Sequence, residues 1–256
     1  MAQRTREPQK SDGSPEHYRP VRSFVLRAGR LTDGQKRALE ELWPLYGIAG
    51  GTDAVEFDVL FGNDHPVILE IGFGNGDATW QMARNEPGLN FLGVEVHKPG
   101  VGHLLLKIEE YEISNLRIAC EDAVELLRQR ITSHSLSGVR IYFPDPWPKK
   151  RHHKRRIIQP PFVRLLAEKM KPSAILHLAT DWAPYAEHML DVMNNHPLYE
   201  NLMKCSPAFE NLAAAGGRVP RPEWRPQTKY EKRGERLGHE VYDLVFRRRP
   251  ETERGE

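Results

Sequence analysis

Val67-Ile68-Leu69-Glu70-Ile71-Gly72-Phe73-Gly74-Asn75-Gly76-Asp77 decides the fold. Its first five residues form a nearly unbroken apolar run, as expected of a strand covered on both faces. Three alternate glycines follow, which let the backbone turn tightly and let a ligand approach it closely. Asp77 to Glu86 then reads as a helix. Strand, glycine turn and helix in succession open a βαβ unit. The spacing is G-x-G-x-G rather than the G-x-G-x-x-G that seats a pyrophosphate on a helix N-terminus. Asp77 also places a negative charge where that phosphate would lie.

The same alternation continues outward. Asn90 to Val96 is strand-like, and Val101 to Tyr111 is helical, with Leu104, Leu105, Ile108 and Tyr111 on one face. Leu116 to Cys120 reads as a strand, Ala123 to Ile131 as a helix and Val139 to Phe143 as a strand. Pro161 opens a helix to Met170, Ala174 to Ala179 is a strand, Tyr185 to Met193 a helix, and Glu240 to Arg248 a last alternating strand. Upstream, Thr32 and Gln35 make a capping box for a helix that stops before Pro44. Repeated β-α units predict an α/β chain with a doubly wound, mostly parallel sheet.

The chain has 256 residues, enough for one large α/β domain or two small ones. Residues 1–20 carry almost nothing apolar, and a disordered tail is expected there. A single domain is expected over 21–249, with 21–60 as an N-terminal extension packed on it, and a second tail over 250–256. The two cysteines, Cys120 and Cys205, exclude a disulfide framework and Cys-pair zinc sites. No metal is expected. No apolar stretch is long enough to span a membrane, and Met1 to Pro20 lacks the apolar core of a secretory signal. A cytoplasmic protein is therefore expected, with monomer or homodimer left open. The net charge of +2 is uninformative, but its distribution is not.

Glu70, Glu95 and Asp122 stand at the ends of the first three predicted strands. Ligands of open α/β sheets bind at those ends. A carboxylate at Glu95 can accept both hydroxyl hydrogen bonds of a ribose, and Asp122 can border an adenine. Each acid alone also suits a solvated strand end. As a set they suit an adenosine with no phosphate and some positive charge, and S-adenosyl-L-methionine has that chemistry.

The fourth strand runs into Pro144-Asp145-Pro146-Trp147-Pro148, where three prolines restrict the backbone around Asp145. The alternatives are a stiff loop or an active-site edge. Lys149-Lys150-Arg151-His152-His153-Lys154-Arg155-Arg156 follows, with no acid before Glu168. Such a run is either a solvated face or a seat for a phosphate backbone. A second basic segment spans Arg218 to Arg236, with Trp224 and Tyr230 inside it and Pro220, Pro222 and Pro226 to keep it extended. It suits a nucleic-acid strand or a proline-stiffened surface loop.

Leu69 to Gly76, Gly93-Val94-Glu95-Val96-His97, Phe143 to Trp147 with the basic run behind it, Ala179-Thr180-Asp181-Trp182 and Thr228-Lys229-Tyr230-Glu231 together resemble the bacterial tRNA (guanine-N7)-methyltransferases. The likeness extends from about Arg22 to Arg248. It implies a Rossmann-like, doubly wound, mostly parallel seven-stranded methyltransferase sheet with a C-terminal antiparallel strand. It implies methyl transfer from S-adenosyl-L-methionine, leaving S-adenosyl-L-homocysteine, to N7 of guanosine at position 46 of the tRNA variable loop. It implies cofactor contacts at Glu70, Glu95, Asp122 and Asp145, beside the turn of Gly72, Gly74 and Gly76. Guanosine or tRNA contacts are implied at Lys149, Asp181, Thr228, Lys229, Tyr230 and Glu231, with Arg151, His152, His153, Lys154, Arg155 and Arg156 on the RNA.

The chemistry of that reaction agrees with the residue inventory. Guanine N7 carries a lone pair and no proton, so it is already a nucleophile. Methylation leaves a cation on the base. The reaction asks for in-line placement and a nearby anion, with Asp145 as the catalytic candidate, and not for a strong general base. The competing readings are a methyltransferase for exocyclic or side-chain nitrogens, a nicotinamide-dependent oxidoreductase and a non-catalytic RNA-binding protein.

Overall fold

The computed structural model describes residues 23–24, 29–202, 221–238 and 240–250; Lys229, Tyr230, Arg233 and Glu235 are described by their backbone alone. The tail expected over 1–20, nearly all of that expected over 250–256, and Arg218 and Pro220 lie outside the described residues.

Strands β1 (Val67–Ile71), β2 (Asn90–Val94), β3 (Leu116–Ala119), β4 (Leu136–Tyr142) and β5 (Met170–Thr180) are parallel. Strand β7 (Tyr242–Arg248) returns antiparallel to β5, and β6 (Tyr199–Asn201) pairs antiparallel with β7. The order is β3-β2-β1-β4-β5-β7-β6, a seven-stranded sheet. The order reverses between β1 and β4, and a crevice opens beyond the strand C-termini at such a reversal. No sequence pattern marks β6, because three residues are too few to display a period of two.

The sheet is buried on both faces, which is why β1 reads as a continuous apolar run. Leu69 and Ile71 pack with Val139, Ile141, Leu176 and Leu178 against α6 (Ala123–Gln129), α7 (Pro160–Lys169) and α8 (Ala183–Asn194). Ile68 and Phe91 face α4 (Asp77–Asn85) and α5 (Lys98–Glu110) on the other side. Leu104, Leu105 and Ile108 of α5 are fully buried, worth about 1.5–3 kcal/mol each. Upstream, α1 (Asp33–Glu41) starts at the Thr32–Gln35 capping box and packs on α5. The short α2 (Trp43–Tyr46) and α3 (Phe57–Phe61) follow.

Several elements depart from their sequence expectation: β4 begins at Leu136 rather than Val139, and β5 at Met170 rather than Ala174. Helix α5 begins at Lys98 rather than Val101, because Gly100 serves packing: a Cβ there would come within 2.0 Å of the Gly74 carbonyl oxygen. The basic run after Lys149 is coiled into a 3-10 turn over Lys150–Arg155. Finally, the second basic segment is not extended throughout, since Lys229–Arg236 is a helix, α9. Its signal lay in the spacing of Thr228 and Glu231, which matches half of a capping box: Thr228 Oγ1 accepts the Glu231 amide at 3.2 Å.

Candidate active site

Gly72, Gly74 and Gly76 all adopt positive φ (75°, 60° and 76°), where a side chain would be strained. The turn they make is fastened to the end of β2. The Gly74 amide donates to Glu95 Oε2 at 2.9 Å, and the amides of Val96 and His97 donate to Glu95 Oε1 at 2.7 and 3.1 Å. Asp122 caps α6 by accepting the Val124 amide at 2.8 Å. The sheet register brings these groups to one edge, because Ile71 pairs with Val94 and Val94 with Ala119.

A cavity of about 220 Å³ lies at this edge, across the β1/β4 reversal. Glu95, Glu121, Asp122 and Asp145 line it together with Gly72, Phe143 and Ile141, and among the described residues no Lys or Arg lines it. Acceptors without cations suit a cationic or hydroxyl-rich ligand and oppose a phosphate. Space remains open at Gly72, where a Cβ would meet nothing within 4 Å. Gly74, Gly76 and Glu70 are not among the residues that line the cavity. Glu70 is buried in register with Arg140, and its Oε2 has no hydrogen-bond partner among the described residues. Burial pushes its carboxyl up to about 7, with the Arg140 cation acting the other way.

At the end of β4 the chain turns sharply: Phe143 and Trp147 hold φ of 50° and 45°. Such backbone persists only where its surroundings over-determine it. Arg156 Nε donates to the Pro146 carbonyl at 3.0 Å, and the guanidinium lies 4.8 Å from the Tyr185 ring centroid. Arg155 stacks over Trp147 at 4.1 Å, and Trp147 Nε1 donates to the Ser23 carbonyl at 3.2 Å. Asp145 itself is exposed at the cavity rim.

A larger depression of about 630 Å³ adjoins this cavity; the two share Ser23, Phe24, Val96, Glu121, Asp122 and Ile157. Lys154, Arg155 and Arg156 line the larger one. The acidic cavity therefore opens directly beside the basic run. Lys149, Arg151 and Lys154 are exposed there, and His152 and His153 are partly so.

Not every sequence candidate lands as expected. Arg156 is largely buried at the wall of the larger depression, where its Nε is committed to the proline loop. Glu231 is buried as well, with both carboxylate oxygens held by Arg225 at 2.7 and 2.8 Å. Asp181 lines a separate depression of about 330 Å³ with Trp182, Glu240 and Tyr242. Among the described residues, no His, Cys, Asp or Glu cluster is arranged to hold a metal, and no helix is long and apolar enough to cross a membrane. Sequence reasoning missed Ser23 and Phe24 on the cavity, and Arg225, Asp243 and His177 beneath the loop. The last two carried a signal: an ionisable residue inside an otherwise apolar strand.

Residues 64–244 match the family described as putative methyltransferase. Over 231 residues the chain is 52% identical to a tRNA (guanine-N(7)-)-methyltransferase of Alcanivorax borkumensis, covering 90% of this chain and 92% of that one. It is 54% identical over 236 residues to the tRNA (guanine-N(7)-)-methyltransferase of Halorhodospira halophila, covering 91% and 97%. Among solved structures, the 16S rRNA methyltransferase KamB aligns with a TM-score of 0.48 at 17% identity, over 76% of this chain and 93% of that one.

Proposed function

The chain belongs to the tRNA (guanine-N(7)-)-methyltransferase family, and from this premise we propose that it transfers a methyl group from S-adenosyl-L-methionine to N7 of the guanosine at position 46 of the tRNA variable loop. The observation that carries this reading is the carboxylate-lined cavity at the β1/β4 reversal, with no Lys or Arg among its described lining residues, opening beside an exposed basic run. The proposed enzyme is a single cytoplasmic domain over 21–249.

The donor set fits S-adenosyl-L-methionine. Glu95 Oε2 takes one backbone amide and keeps a lone pair for a ribose hydroxyl. Asp122 borders the base, and Gly72 leaves the backbone open to close approach. Glu70, buried and with an oxygen unpartnered among the described residues, adds negative potential toward a cationic ligand in its ionised form, which its raised carboxyl reaches near pH 7. When bound, the cofactor supplies an electrophilic methyl on a sulfonium.

Guanine N7 has no proton to give, so Asp145 is not a general base. Its carboxylate orients the guanine edge and offsets the positive charge that develops on the base. The prolines and the Arg156 clamp fix where that carboxylate stands. Lys149, Asp181, Thr228, Lys229 and Tyr230 are assigned to the guanosine and its neighbours. Arg151, His152, His153 and Lys154 are assigned to phosphates, with Arg155 contributing from its stack on Trp147. The test is methylation of bulk tRNA with labelled cofactor, followed by nucleoside analysis and mapping of the labelled site. 7-Methylguanosine at position 46 is expected; label in another nucleoside, or none, overturns the reading.

A further inference from the structure

Beneath the Asp145 loop lies a buried polar network that joins four parts of the chain. Arg225 is 2% exposed, and its guanidinium is gripped by two carboxylates at once. Nε and Nη2 donate to Asp243 Oδ1 and Oδ2 at 2.6 and 2.8 Å, and Nη1 and Nη2 donate to Glu231 Oε2 and Oε1 at 2.7 and 2.8 Å. Such forked, charge-assisted pairs fix direction as well as distance. Asp243 Oδ1 also accepts from His177 Nε2 at 2.7 Å. The other ring nitrogen faces the Trp224 indole N–H at 3.1 Å and the Tyr142 hydroxyl at 3.0 Å. An indole N–H only donates, so Nδ1 accepts and the proton sits on Nε2. Burial lowers the His177 pKa, in keeping with a neutral ring.

This network has one end at each group that the reaction needs in place. Tyr142 is the last residue of β4, and Phe143, with its positive φ, starts the turn to Asp145. The Arg225 guanidinium lies 5.8 Å from the Tyr142 ring centroid and 5.7 Å from that of Phe143. Glu231 sits in the first turn of α9, the turn opened by Thr228. Asp243 belongs to β7, in register with Ala179 of β5. Arg225 is therefore the group through which the turn at Thr228 is referenced to the end of β4. Glu231 has no free carboxylate edge toward the outside: Arg225 takes both oxygens, and Arg221 lies 4.0 Å from Oε1.

We propose that Arg225 is a positioning residue for methyl transfer, and that Glu231 acts through it rather than by touching the guanosine. The Asp243–Arg225–Glu231 relay holds the Thr228 turn at a fixed distance from Asp145. The proposal rests on the functional reading above. Its test compares wild type, Arg225→Lys, Glu231→Gln and the double variant, each checked for folding by thermal melt and for cofactor affinity by calorimetry. Single-turnover methylation of tRNA is then measured across tRNA concentrations. Each single variant should lose about 10–100-fold in rate at saturating tRNA through misplacement, with cofactor affinity within about twofold of wild type. The double variant should be no slower than the slower single, because one relay is cut twice. Rate losses that multiply would mean that Glu231 meets the substrate independently, and would overturn the proposal. So would a folded Arg225→Lys or Glu231→Gln that reacts at the wild-type rate. Glu231→Gln alone decides the matter if Arg225→Lys does not fold: a lost rate with cofactor affinity kept supports the relay, and an unchanged rate overturns it. A wild type that forms no 7-methylguanosine overturns the functional reading as well, whereas an active wild type with equally active variants overturns the relay only.

Discussion

At the ends of β1, β2 and β3 the polar groups are held by nearby backbone. Glu95 takes the amides of Val96 and His97 beside it and of Gly74 in the adjoining turn, and Asp122 takes that of Val124. At the ends of β4, β5 and β7 the holding groups are side chains from distant parts of the chain. His177 meets Asp243, Asp243 meets Arg225, Arg225 meets Glu231, and Arg156 reaches back to Pro146. The first edge is a local construction and tolerates loss of one contact at a time. The second is a low-dielectric network in which a cut leaves buried charge behind. Substitutions on the two edges should therefore fail differently.

The largest effect is expected on the β4 side, at the residue that the network positions. Asp145→Ala should lower the single-turnover rate by about 10²–10³-fold, as removal of a preorganised electrostatic group does. Asp145→Asn should recover part of it, keeping an acceptor and losing the charge. Wild-type rates in both variants would reduce the Pro144-Asp145-Pro146 segment to a stiff loop and erase the contrast between the edges. Next in size is the basic run beside it. Lys150→Glu, Arg151→Glu and Lys154→Glu combined should reduce the log–log salt slope of tRNA binding by about 2–3, at roughly 0.7–0.9 per phosphate. Cofactor affinity should not change. Salt-independent tRNA binding by the wild type would make the run a solvated face.

These predictions depend on features that were unequally legible in the sequence. The β1 run, the glycine turn and the carboxylates at strand ends are spelled in consecutive residues, because local backbone rules place them. Gly76 ends the turn and Asp77 starts α4 as read. The start of α5 was not legible, since Gly100 answers to the Gly74 carbonyl and that contact exists only after folding. The roles of Arg156 and Glu231 were hidden for the same reason. Both look like surface charges in a basic or mixed segment, and their burial is decided by partners far along the chain. The fold is thus more readable than the site, and the β1–β3 half of the site more readable than the β4–β7 half.

Glu70 sharpens the comparison from the cofactor side. Its carboxyl is raised from 4.5 to about 7, so the folded protein binds this proton more tightly than the unfolded chain. Ionising it therefore costs stability above its unfolded pKa, and the cost is complete once pH exceeds about 7. Glu70→Gln should stabilise the cofactor-free protein by up to about 3 kcal/mol at pH 8, since one unit corresponds to about 1.4 kcal/mol. The gain should vanish below pH 4.5, where wild-type Glu70 is protonated in both states. Melting curves across that range check it, and a pH-independent difference would mean that Glu70 is already compensated. Glu95→Ala comes next: about tenfold to hundredfold weaker cofactor binding by calorimetry, at roughly 1.5–3 kcal/mol for a hydrogen bond to a charged group. Glu95→Gln should lose less, because its amide oxygen still accepts from Val96 and His97. Equal affinity in a folded Glu95→Ala would remove Glu95 from the site.

The smallest effect separates two duties of a single side chain. Asp122 caps α6 through the Val124 amide and also lines the cavity. Asn caps a helix about as well as Asp, while Ala does not cap at all. Asp122→Ala should therefore cost about 1 kcal/mol of stability, roughly 2–4 °C in Tm for a domain of this size. Asp122→Asn should leave Tm close to wild type. Cofactor affinity should fall in both, because both remove the negative charge from the cavity wall. If affinity falls only in Asp122→Ala, Asp122 matters to the ligand through the helix it caps. The β3 end would then be positioning its site indirectly, as the β4 end does.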